Sequence, residues 1–270
     1  MNRPKVAASN YLNSAPLIWS FLFGPRANQL DFVEAVPARC ADLLAQGNVA
    51  AALVPVIEYQ RIPELMVVPD VCVGSKGKVH SVVLVSRRER LQDIQSVALD
   101  QSSRTSATLL KIIFREFVGH DPEWTDESPD LARMLAGNEA ALIIGDPGMT
   151  FPRTGLKVWD MASLWREHTG LSFIFAMWMI REDEWASVRR IDFAAARDEG
   201  LERLEEIVNR YHDSINLSQE EIRKYLTENI SFHIDEDMRK GLELYFELAA
   251  KHHLIENQKP LRFPQAHHVA

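Results

Sequence analysis

Around Arg104 the sequence crowds hydroxyls: Ser102-Ser103-Arg104-Thr105-Ser106. Leu109, Leu110, Ile113 and Phe117 follow at the spacing of one helix face. The polar cluster therefore falls at a helix N-terminus, where backbone N–H groups lack intrahelical partners and the dipole is positive. One Ser or Thr is enough to cap a helix. The four hydroxyls around this single guanidinium exceed that need and predict a site for a carboxylate or phosphate. Three further polar residues lie at the ends of β-type runs, where open α/β sheets gather ligands. They are Asn13 in the segment Asn10-Tyr11-Leu12-Asn13, Ser81 at the start of an apolar run, and Asp146 after Gly145. Asn13 before Ser14-Ala15-Pro16 and Asp146 before Pro147-Gly148 are also good turn formers, so residue type alone leaves their roles open.

Other chemistries lack their residues. The chain has no GxGxxG or GxxxxGK[ST] loop for a dinucleotide or nucleotide and no GxSxG elbow. Its nine histidines include no HExxH, and no metal site is expected. Trp159, Trp165 and Trp178 read as packing rather than as a ligand cage. Cys40 and Cys72 sit apart in apolar surroundings and read as reduced, buried thiols. A formal net charge of -8 argues against nucleic-acid binding, which favours basic patches, but leaves room for a local anion site.

The elements that must position these residues alternate. Strand-type runs fall at Val6–Ser9, Phe32–Val36, Ala51–Val54, Met66–Val73, Ser81–Ser86, Val97–Asp100, Ala141–Asp146 and Phe173–Ile180. Helical periods lie between several of them, at Ala38–Gln46, Ala107–Phe117 and Pro129–Ala136. This alternation predicts an α/β protein with mainly parallel sheets covered on both faces. A central block with its own β-α-β character predicts two lobes with a ligand cleft between them: 1–85 plus 180–270, and 86–179. After about residue 200 the chain reads as helices packed on the lobes. Ser218 and Glu221 form a capping box, Asp235 is an N-cap, and an irregular tail follows Lys259. The N-terminus lacks a secretory h-region, and no run approaches the ~18–20 apolar residues of a membrane span; a cytoplasmic protein is expected. The sequence leaves the oligomeric state open.

Six stretches in order resemble the chorismate dehydratase family of the futalosine route to menaquinone. They are NYLNSAPL at 10–17, AALVPVIEY at 51–59, HSVVLVS at 80–86, LDQSSRTSATLLKIIF at 99–114, ALIIGDPGM at 141–149 and TGLSFIFAMW at 169–178. Together they span most of the chain. The resemblance implies a type II periplasmic-binding-protein-like fold used as an enzyme, a lyase that needs no cofactor or metal. Its reaction would convert chorismate, a dicarboxylate, to 3-[(1-carboxyvinyl)oxy]benzoate and water. It also implies Asn13 as the catalytic residue, with Ser81, Ser103, Arg104, Thr105, Ser106 and Asp146 binding substrate. The proton acceptor stays open between a substrate carboxylate and Asp146. The sequence departs from the family pattern at Asn10 and Val56, where serine is more usual, and at Ser172, where proline is. A solute-binding protein or sensor for a small aromatic carboxylate is the alternative on the same fold.

Overall fold

A computed structural model describes residues 3–264. Ten strands form two five-stranded sheets. The strands are β1 Lys5–Ala8, β2 Asp31–Glu34, β3 Ala51–Pro55, β4 Leu65–Ser75, β5 Val82–Ser86, β6 Ser96–Asp100, β7 Glu123–Glu127, β8 Ala140–Ile144, β9 Lys157–Asp160 and β10 Phe173–Arg181. The first sheet has the order β2-β1-β3-β10-β4 and the second β7-β6-β8-β5-β9. Helices follow the parallel strands, as the alternation predicts, and the architecture is the expected α/β one with two lobes.

The sheets are mixed rather than mainly parallel. β1 runs parallel to β2 and β3, and β6 to β7 and β8. By contrast β10 is antiparallel to β3 and β4, and β5 to β8 and β9. The reason lies in how the chain changes sheet. The parallel strands end facing the space between the sheets. A chain that leaves one sheet there starts its next strand at the same end and must run the other way. β5 and β10 are these two strands, and each sits fourth in its sheet. Val82–Ser86 thus belongs to the second sheet and Phe173–Arg181 to the first, the reverse of a partition at residues 85 and 180.

β3, β5 and β8 are buried at every position, which accounts for their continuous apolar runs. The edge strands β7 (EWTDE) and β9 (KVWD) carry mostly half-exposed or exposed residues; they lack the apolar run that reveals a strand in sequence, and the reading above omits them. The helix Arg104–Ile112 starts three residues before the apolar period and passes into a π-helical stretch, Ile113–Val118. The Ser218–Glu221 capping box is present, and Asp235 accepts a hydrogen bond from the Met238 N–H. The helical region expected after about residue 200 begins earlier and is broken at Arg203 into two helices, Phe193–Glu202 and Leu204–His212. Of the tail, residues 260–264 have no regular structure but are tied down: Tyr59 Oη donates to Pro260 O, and Val67 N–H to Arg262 O. Residues 265–270 lie outside the described range.

Trp165 and Trp178 are fully buried core residues, while Trp159 lies on an edge strand, half-buried. Both cysteines are free and buried; burial pushes the Cys40 thiol up to about 12 and the Cys72 thiol further. Neither carries thiolate chemistry at neutral pH. Among the described residues no helix is long and apolar enough to cross a membrane, and no group of three metal-ligating side chains gathers.

Candidate functional site

The carboxyl ends of the parallel strands meet across a cleft. From the first sheet come Ser9, Asn13 and Phe175; from the second come Val82, the Ser102–Ser106 turn and Gly145. These residues line a narrow space between the two sheets, and small-molecule sites favour such interfaces between lobes.

Ser103 is the residue before the helix Arg104–Ile112, yet its hydroxyl makes no capping bond. It is 3% exposed and has no hydrogen-bond partner. A buried hydroxyl left without a partner is costly, and this one lies in the cleft lining at the helix N-terminus. Thr105 is already engaged: its Oγ1 accepts from the Ile57 N–H at 3.3 Å, and its carbonyl accepts from Tyr245 Oη at 3.0 Å. Ser106 lines the cleft beside it.

Arg104 lines the cleft and also reaches across it. It donates to Asp42 at 2.6 Å and to Glu58 at 3.1 Å. Both acids belong to the segments around the first sheet, and Glu58 is itself shared with Arg61. The carboxylates outweigh burial and hold the Arg104 pKa above its ordinary value. Arg104 thus ties the turn to the opposite lobe through two of its five N–H groups.

Asn13 sits on the 3-10 turn Leu12–Ser14 that follows β1 and lines the cleft. Its carboxamide oxygen accepts from Ser14 Oγ at 3.2 Å, and Ser14 Oγ lies 3.0 Å from Ser9 Oγ. With the Ser14 proton used on Asn13, Ser9 donates to Ser14.

Asp146 and Ser81 stand behind the lining rather than in it. Asp146 Oδ1 accepts from the Leu12 N–H at 3.1 Å, joining the end of β8 to the Asn13 turn. Burial pushes its carboxyl up to about 6, which that one hydrogen bond only partly offsets. In the unfolded chain the group ionises near the ordinary aspartate value, about 3.9. The parent protein therefore loses stability as pH rises through the window between these values, because the folded state resists ionisation there. Asparagine keeps the acceptor for Leu12 and never ionises. Asp146→Asn is expected to melt above the parent at pH 7 by an increment that shrinks to nothing near pH 4. A pH series of thermal melts checks this, and an increment independent of pH would contradict it.

Several cleft residues had no separate signal. Tyr11 packs its ring against Gly145, where a Cβ would approach to 2.9 Å and where φ is +68°, a conformation glycine adopts freely. Burial, and next the carboxylate of Asp100, raise the Tyr11 hydroxyl pKa. Asp100 is 2% exposed; one oxygen accepts from Ser102 N–H and Oγ, the other has no partner, and burial raises its pKa. Ser9, Ser14 and Phe175 also line the cleft. Tyr11, Ser14 and Phe175 lie within the matched stretches, and that position was their only clue.

Two lobes of mixed sheet around a cleft at the strand ends define the class: the periplasmic-binding-protein type of fold. Protein AF1704 from Archaeoglobus fulgidus superposes with a TM-score of 0.76 at 17% identity, over 94% of this chain and 98% of that one. The periplasmic aliphatic sulphonate binding protein SsuA from Escherichia coli does so with 0.61 at 14% identity, over 100% and 99%. At such identities the likeness is one of fold. Sequence carries the assignment further: the model of the menaquinone biosynthesis family matches residues 4–251, and this chain belongs to that family. A chorismate dehydratase from Thermus thermophilus is 30% identical over 256 residues, 88% of this chain and 92% of the relative.

Proposed function

We propose that this protein is a hydro-lyase that converts chorismate to 3-[(1-carboxyvinyl)oxy]benzoate and water, acting in the cytoplasm. Its lobes would divide where the sheets exchange strands, near residues 80 and 171. The observation that carries this reading beyond the family relationship is the character of the lining. It combines an unpartnered Ser103 hydroxyl at a helix N-terminus and the Asn13 carboxamide with apolar walls such as Val82 and Phe175. It brings no Asp, Glu, His or Lys side chain.

A dicarboxylate suits such a cleft. One carboxylate docks at Ser103 and Ser106 on the free N–H groups of the helix start. Dehydration then removes the C3 proton and expels the C4 hydroxyl, and aromatisation drives the step. With no Asp, Glu, His or Lys side chain in the lining to take a proton, the second substrate carboxylate is the proton acceptor, and enclosure supplies the orientation. Asp146, turned to the Leu12 N–H, holds the Asn13 turn rather than serving as base. Asn13 directs a donor to the departing hydroxyl.

Mixing the protein with chorismate and following the diene absorbance tests the reading. Loss of the diene with release of the aromatic product is the expected result. Tight binding with an unchanged spectrum would make the protein a solute-binding module, and neither binding nor change would point to a different substrate.

A further inference from the structure

The start of the helix Arg104–Ile112 is docked on the segment that follows β3. Ile57 N–H donates to Thr105 Oγ1 at 3.3 Å, Arg104 Nη1 to Glu58 Oε2 at 3.1 Å, and Arg61 Nη2 to Thr108 Oγ1 at 3.3 Å. Residues 57–61, on the side of the first sheet, thus meet residues 104–108, on the side of the second. Glu58 is the centre of this contact. Its side chain is 4% exposed, and its other oxygen, Oε1, accepts from Arg61 Nη1 at 3.0 Å. Two guanidiniums on one carboxylate offset the loss of water around a buried charge, and an oxygen committed to each arginine keeps the group from turning. The backbone beneath it is fixed as well, since Val56 N–H donates to Phe175 O at 3.0 Å and ties the segment to β10. Asp42, the second partner of Arg104, has a side chain 39% exposed, where water can take its place. Glu58 has no such substitute.

We propose that Glu58 is a positioning residue: by holding Arg104 it sets the separation between the anion-binding turn and Asn13. The inference rests on the dehydratase reading given above. In that reading one substrate carboxylate sits at Ser103 and Ser106, on either side of Arg104 in the chain, while Asn13 meets the departing hydroxyl from the other side of the cleft. The substrate bridges the two sides, so their separation decides whether its hydroxyl reaches the Asn13 carboxamide. Two carboxylates span that gap in opposite directions. Asp146, at the end of β8, accepts from the Leu12 N–H beside Asn13; Glu58, after β3, accepts from Arg104 beside Ser103. Parting the two sides breaks both bonds. Glu58 stands outside the lining and acts on the substrate only through the group it holds.

Glu58→Ala removes both acceptor oxygens. It is expected to lower kcat on chorismate by ~10–100-fold, the scale of a small misplacement of reacting groups. KM should stay within about threefold of the parent, because Ser103 and Ser106 still hold the carboxylate. Glu58→Gln keeps the side-chain volume and guards against loss of the fold. One end of its carboxamide carries N–H groups and cannot accept from an arginine, and kcat should fall by ~3–10-fold. Spin labels on Gln46→Cys and Ala132→Cys, exposed positions on the two sides of the cleft, report the separation directly, since both native thiols are buried. Without ligand the parent should give one narrow distance distribution and both Glu58 variants a broader one. An unchanged distribution, or a normal kcat in the variants, would overturn the proposal; a lower melting temperature alone would then make Glu58 a support of the fold. A raised KM at unchanged kcat would assign it to tuning the Arg104 charge and would overturn the proposal too. If the parent protein left chorismate unchanged, the dehydratase reading would fall, while the distance distributions would still decide whether Glu58 sets the separation.

Discussion

Asn13→Ala should lose turnover almost completely, on the order of 10³-fold in kcat, the scale seen when one donor to a developing charge is removed. Affinity for the product should hardly change. The two outcomes separate because the C4 hydroxyl is present in substrate and absent from the aromatic product. A donor directed at that hydroxyl strengthens as the C–O bond breaks, so its loss weakens the transition state rather than ground-state binding. The side chain is small and lines an open cleft, so alanine leaves no buried cavity and the fold should persist. Steady-state rates with chorismate, alongside calorimetric titration with product, check both halves. A near-normal kcat would take Asn13 out of the mechanism. Equal losses of kcat and product affinity would instead make it a general binding residue.

The layout of the cleft was legible because it follows from strand ends. Apolar runs such as Ala51–Pro55 and Ala140–Ile144 are buried on both faces, so their hydrophobicity is continuous and the polar residues just beyond them stand out. The Ser102–Ser106 turn was legible for a local reason: a helix start leaves donors free. What each group there does was not legible. Arg104 reads as an anion ligand from its neighbours in sequence. Its partners are Asp42 and Glu58, 62 and 46 residues away, and no local pattern encodes such a pairing. Asp146 and Ser81 were placed near the cleft, but their partners are Leu12 N–H on one Asp146 oxygen, 134 residues distant, and Tyr225 Oη, 144 residues distant. The π-helical turn Tyr225–Asn229 that carries Tyr225 has no simple period to announce it. The antiparallel strands β5 and β10 are equally silent, because an apolar run does not state its direction. Residues whose roles depend on neighbours in sequence were readable; those whose roles depend on chain crossings were not.

Ser103→Ala is expected to act in opposite directions on the free and the liganded protein. In the free protein the Ser103 hydroxyl is buried with no partner, a state that costs about 1–3 kcal/mol. Alanine removes the hydroxyl and needs no replacement bond, since the helix start makes no use of the side chain: Ser103 Oγ caps nothing. The backbone bond from Ala107 N–H to Ser103 O, 3.0 Å long, is unaffected. The melting temperature should therefore hold or rise slightly, whereas loss of an ordinary N-cap serine lowers it. Binding is different. A hydroxyl donated to a carboxylate is a charge-assisted hydrogen bond worth about 1.5–3 kcal/mol. Its loss corresponds to a KM higher by ~10–100-fold. The docked carboxylate keeps its charge as the C3–H and C4–O bonds break, so the contact is equal in ground and transition states and kcat should change little. The contrast with Asn13→Ala, which spares binding and removes turnover, divides the cleft into a clamp and a reacting end. A lower melting temperature with unchanged KM would instead assign Ser103 to capping, and the anion would have to be sought among the first-turn N–H groups and Ser106 alone.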